Sequence, residues 1–130
     1  MKILLAEDDL TSRLFMSKYL DRFGDCDVVT NGIEAIEKVE LSISENLTYD
    51  LICLDVMMPK VSGISALSEI RKLERSKLKS DQKPSMIIMT TALNDKETVK
   101  SSFDAGCDAY AWKPIDLKRF NRLLEELDLI

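Results

Sequence analysis

Five short apolar runs alternate with longer amphipathic stretches along the 130 residues, and this alternation restricts the fold more than any other feature. The runs are residues 3–6, 26–29, 51–54, 86–89 and 109–112. The first, third and fourth are apolar almost throughout, as parallel strands covered on both faces must be. Residues 26–29 carry Asp27, and residues 109–112 are small and aromatic, so these two read as edge strands. Between the runs lie helical patterns. Residues 10–23 place Leu10, Leu14, Phe15, Tyr19, Leu20 and Phe23 at helical spacing, and residues 31–43 repeat Ile36, Val39 and Ile43. A third helix carries Ile64, Leu67, Ile70 and Leu73, with an overrun and a polar loop before residue 84. Residues 95–103 form the weakest, anchored by Val99 and Phe103 and stopped by Gly106. The last presents Leu117, Phe120, Leu123, Leu124 and Leu127. Asn31 with Glu34, and Asp116, supply N-caps. Right-handed strand-helix-strand crossovers put helices on both faces of such a sheet, giving an α/β, doubly wound, five-stranded parallel fold as one domain over residues 1–130.

Composition narrows the function. With 18 basic and 23 acidic residues the net charge is −5, a poor match for a phosphate backbone, so no direct nucleic acid partner is expected. The sequence holds no histidine, which removes Ser-His-Asp and Cys-His catalysis, histidine metal sites and a phosphohistidine carrier role. Three separated cysteines without a CxxC read as reduced thiols, with Cys53 in the core. No apolar run reaches the roughly 20 residues of a membrane span, and the N-terminus lacks a signal-peptide pattern, so a soluble, cytoplasmic chain is expected.

In an open parallel sheet, functional residues gather at the carboxyl ends of the strands, by the topological switch point. Those ends hold Glu7-Asp8-Asp9, then Asp55, then Thr90-Thr91, then Lys113-Pro114. Carboxylates this close repel unless a cation joins them, so the cluster calls for a hard divalent metal, with Mg²⁺ fitting best. Each residue alone has a plainer role. The acids could start a helix, Asp55 could be an N-cap, Thr91 a strand-end hydroxyl and Lys113 a solvated charge. Their joint placement at successive strand ends is what argues for a site.

Together, Glu7-Asp8, Asp55-Val56-Met57-Met58-Pro59, Ser62-Gly63, Thr91-Ala92 and Lys113-Pro114 resemble the signature of the response regulator receiver family of two-component signalling. Residues 31–35 and 105–110 resemble the family segments flanking the second and fifth strands, so the likeness covers nearly the whole chain. It implies a flavodoxin-like sheet of order 2-1-3-4-5 with five helices. It also implies a phosphoacceptor rather than an enzyme: Asp55 takes a phosphoryl group from a partner phosphohistidine, and the chain assists its own phosphorylation and dephosphorylation. Glu7, Asp8, Asp55 and the Met57 carbonyl would hold Mg²⁺, while Lys113 pairs with Asp55 and then with the phosphoryl oxygens. Thr91 would donate its hydroxyl to the phosphoryl group, and Tyr110 would follow it as the switch aromatic. Asp9, by strand register, would cap the first helix.

The partners so implied are a sensor histidine kinase or histidine phosphotransfer protein, and a downstream protein target. That target would meet the face of helix four, strand five and helix five, where Trp112 shares a side with Tyr110. Met57 and Leu93, two residues after Asp55 and Thr91, are apolar and cannot orient a hydrolytic water, so slow self-dephosphorylation is expected. The reading favours a standalone receiver. Its alternatives are a receiver cut from a longer regulator or hybrid kinase, and a haloacid dehalogenase-like Mg²⁺ phosphatase. The latter needs a second acid at position 57, where Met stands.

Overall fold

A computed structural model describes residues 1–93 and 95–130. Its elements run β1 (Lys2–Ala6), α1 (Leu10–Leu20), β2 (Asp25–Val29), α2 (Gly32–Ser44), β3 (Leu51–Asp55), α3 (Gly63–Lys77), β4 (Met86–Thr91), α4 (Lys96–Asp104), β5 (Ala109–Trp112) and α5 (Leu117–Glu126). All strand pairs are parallel and the sheet order is β2-β1-β3-β4-β5. This is the expected flavodoxin-like arrangement, with β2 and β5 at the edges. The chain reverses its direction of growth between β1 and β3, and that crevice is where the strand-end acids meet.

Alternation along the central strands builds two cores. Leu4, Ala6, Ile52, Leu54, Ile87 and Met89 face α2 and α3, packing against Val39, Ile43, Leu67 and Ile70. Ile3, Leu5, Leu51, Cys53 and Ile88 face the other way, onto Met16, Tyr19 and Leu20 of α1 and Phe120 and Leu124 of α5. Leu124 is fully buried, so truncating it to Ala costs about 2–5 kcal/mol through lost transfer energy and the cavity left behind. The helix starts follow the sequence. Asp9 accepts from the Ser12 amide at 2.9 Å, Asn31 from Glu34 at 2.9 Å, and Asp116 from Lys118 at 2.9 Å. Gly106 stops α4 with φ 110°, a backbone state that costs glycine little.

Two expected helix faces are corrected. α1 buries Met16, Tyr19 and Leu20, whereas Leu10, Leu14 and Phe15 are 58%, 61% and 47% exposed. The helix has apolar residues on both sides, so spacing alone cannot say which side meets the sheet. In α4 the buried residue is Ser102, whose hydroxyl donates to the Thr98 carbonyl at 2.8 Å, and Phe103 faces outward.

Candidate functional site

Each strand end delivers its residue to one edge. β1 stops pairing with β3 at Ala6, and Glu7 continues only as far as donating its amide to the Val29 carbonyl at 3.1 Å. Glu7 then turns its carboxylate inward to full burial, while Asp8 and Asp9 face solvent. Asp55 is the last residue of β3, buried and level with Thr90 of β4. The turn after it is forced close to the strand: Gly63 donates to the Val56 carbonyl at 2.9 Å. A Cβ on Gly63 would lie 2.0 Å from the Asp55 carbonyl oxygen, which is why the Ser62-Gly63 pair needs its glycine. Gly32 serves similarly, since a Cβ there would press on the Val61 carbonyl at 2.4 Å.

Lys113 follows β5 and reaches across the crevice. Its Nζ donates to Asp55 Oδ2 at 2.9 Å and also bonds Glu7 Oε1. The other oxygens are engaged as well: Met57 donates its amide to Asp55 Oδ1 at 3.0 Å, and Asp9 donates its amide to Glu7 Oε2 at 3.2 Å. Carboxylate oxygens of Glu7, Asp8 and Asp55 lie within 4.8 Å of one another. One ammonium therefore faces three clustered acids, two of them buried. Burial, and next the adjoining Asp55 carboxylate, push the Glu7 carboxyl up to about 7 despite the Lys113 bond. Burial disfavours the charged form of Lys113, but its bonds to Glu7 and Asp55 outweigh this and raise it. The cluster is short of positive charge, and an all-oxygen donor set with that deficit fits a hard divalent cation.

Thr91 ends β4, buried, with its hydroxyl accepting from the Leu93 amide at 3.1 Å. Ala92 beside it is exposed. Tyr110 of β5 donates its hydroxyl to the Leu93 carbonyl at 2.7 Å, and its ring sits 5.3 Å from that of Trp112. Thr91 and Tyr110 thus hold the same loop residue from two sides. The Met57 side chain is 61% exposed, and its main chain is the part that bonds Asp55. A further participant carries no sequence signature. Arg13 of α1 reaches back to the acidic turn and donates from Nη1 to the Glu7 and Asp8 carbonyls at 3.2 and 3.1 Å. Only its spacing, one helical turn after Asp9, could have suggested this.

The sequence profile described as the response regulator receiver domain matches residues 3–125. Hybrid signal transduction histidine kinase G of Dictyostelium discoideum is 36% identical over 121 residues, covering 91% of this chain and 3% of the relative. Transcriptional regulatory protein CiaR of Streptococcus pneumoniae is 32% identical over 127 residues, covering 98% of this chain and 51% of the relative. The chain thus spans about half of one relative and a small fraction of the other. Among solved structures, it is similar to a chain of the Saccharomyces cerevisiae complex between the histidine phosphotransfer protein Ypd1 and the receiver domain of Ssk1. That match has TM-score 0.81 and 26% identity, covering 97% of this chain and 87% of the other.

Proposed function

The chain belongs to the response regulator receiver domain family, and from that premise we propose that Asp55 is its phosphoacceptor, served by Glu7, Asp8, Thr91 and Lys113. Members of this family are signalling phosphoacceptors rather than classical enzymes. The observation that carries the assignment of residues is the pairing of buried Asp55 with Lys113 inside the acidic cluster.

In the proposed transfer an Asp55 carboxylate oxygen attacks phosphorus in line, the P–N bond of a partner phosphohistidine breaks, and the imidazole nitrogen keeps the electron pair. Positioning and charge neutralisation dominate such a step. Met57 and Lys113 hold the two Asp55 oxygens and so fix the direction of attack. Glu7, Asp8, Asp55 and the Met57 carbonyl are the groups that would hold Mg²⁺, which when bound supplies positive charge toward the phosphoryl oxygens. Lys113 then turns from its two carboxylates to the new phosphoryl group. Thr91 gives up the Leu93 amide to donate to that group, and Tyr110, tied to the Leu93 carbonyl, is the residue that moves with it.

The proposed phosphodonor is a sensor histidine kinase or histidine phosphotransfer protein, the kind of partner named in the Ypd1–Ssk1 complex. Leu10, Leu14 and Phe15 stand exposed on α1, and Phe15 lines a hollow of about 240 Å³ with Lys113, Pro114 and Ile115. They would give that partner an apolar seat on α1, with the hollow reaching Lys113. The proposed output face is that of α4, β5 and α5, where half-exposed Trp112 packs beside Tyr110 and Phe103 of α4 is half-exposed as well. No helix among the described residues is long and apolar enough to cross a membrane, and a cytoplasmic setting is part of the proposal. Transfer of ³²P from a phosphorylated histidine phosphotransfer protein tests the assignment. Label should appear on the parent chain and not on Asp55→Ala; equal labelling of both would overturn it.

A further inference from the structure

The acidic turn is held by more than Lys113. Where β1 ends, the carbonyls of Glu7 and Asp8 leave the sheet's hydrogen-bond ladder, and both accept from the same guanidinium nitrogen of Arg13, at 3.2 and 3.1 Å. Arg13 is itself fixed in α1, its amide donating to the Asp9 carbonyl at 2.8 Å, and its side chain is half-buried against the turn. The orientation of two consecutive peptides decides where their two carboxylates point. Holding both carbonyls therefore sets the angle between the buried Glu7 and the exposed Asp8.

From this geometry we infer that Arg13 is a positioning residue for divalent-cation binding by Glu7 and Asp8. The inference rests on the reading of those two residues as cation ligands. Two effects of Arg13 oppose each other. Its positive charge beside the cluster repels an incoming cation, and its bonds to the carbonyls pre-arrange the ligands for it. The charge stands on a partly exposed side chain, where water and salt screen it. Outer-shell partners that orient ligands are worth about 10–100-fold in metal affinity. Positioning therefore outweighs repulsion, and removing Arg13 weakens cation binding although it removes a like charge.

The sign of the change is the test. Calorimetric titration with MgCl₂ compares the parent, Arg13→Met, Arg13→Gln and Asp8→Asn, with thermal melts in EDTA confirming that each variant is folded. Arg13→Met should weaken Mg²⁺ binding about tenfold. Arg13→Gln, whose amide can donate without a charge, should recover part of that loss, which neither a charge effect nor general loosening of α1 produces. Binding in Arg13→Met that equals or exceeds the parent's overturns the inference while leaving the cation site intact. If the parent takes up no Mg²⁺, or Asp8→Asn binds it as well as the parent does, the reading of the acidic pair fails and the inference falls with it.

Discussion

At the amino-terminal edge of the sheet, opposite the acidic cluster, one side chain joins α3 to the segments before β4 and β5. Arg71 of α3 donates from Nη1 to Glu74 Oε1 at 2.7 Å and to the Ser85 carbonyl at 2.8 Å. It also donates from Nε to the Gly106 carbonyl at 2.8 Å and from Nη2 to Asp108 Oδ2 at 2.9 Å. Arg71→Met keeps most of the aliphatic stem and deletes the guanidinium. Glu74, 6% exposed, is then a buried carboxylate with only the Ser85 amide as partner among the described residues. Stranding one member of a buried ion pair costs about 3–5 kcal/mol. The Asp108 bond adds little, at most about 1 kcal/mol, because that carboxylate is 32% exposed and retains the Ile87 amide. A total near 4 kcal/mol in a domain of this size lowers Tm by about 15 °C. Urea and thermal melts read by Trp112 fluorescence measure it. Adding Glu74→Leu removes the stranded charge, so the double variant should lose about 2 kcal/mol less than the two single losses combined. An Arg71→Met loss below about 1 kcal/mol, or strict additivity in the double variant, would refute the argument.

Other consequences follow from the same geometry. Met57→Asn with Leu93→Glu places polar groups on the path of a hydrolytic water, and should shorten the lifetime of phosphorylated protein about tenfold or more; unchanged decay would refute the proposed cause. Gly63→Ala drives a methyl into the Asp55 carbonyl, and should cost about 1–3 kcal/mol in urea melts while slowing phosphorylation. Hydrogen bonds to Thr30 and Thr98 hold the Glu34 and Asp95 carboxyls below their ordinary range. Their folded-state values being depressed, the stability they add is full above the ordinary carboxyl range and is lost as pH falls from it down through the lowered values. Glu34→Gln and Asp95→Asn should therefore flatten the acid limb of stability below about pH 5 in pH-dependent melts.

The parts of the fold readable in the sequence were those with one solution. Buried parallel strands leave unbroken apolar runs, and Asn31, Asp116 and Gly106 mark helix ends through local chemistry that does not depend on the rest of the chain. The face of α1 was not readable, because Leu10, Leu14 and Phe15 compete with Met16, Tyr19 and Leu20 for burial. Only the position of the sheet decides between them. Phe103 misled for the opposite reason: in so short a helix a small residue, Ser102, fits the close approach and the larger one turns out. The acids, Thr91 and Lys113 could be placed at one edge because strand ends are fixed by topology. What the sequence did not reveal were contacts made through the backbone: the Arg13 bonds to the Glu7 and Asp8 carbonyls, and the Leu93 residue held by both Thr91 and Tyr110. Any side chain at positions 7, 8 or 93 presents the same carbonyl, so residue identity carries no trace of them.

The proposed function requires that Asp55 accept a phosphoryl group with help from a divalent cation. Intact mass after incubation with acetyl phosphate and Mg²⁺ tests it most directly, alongside Asp55→Ala and an EDTA control. One phosphoryl adduct is expected on the parent chain, absent from the variant and lost in EDTA. An adduct of equal yield on Asp55→Ala, or one indifferent to Mg²⁺, would contradict it.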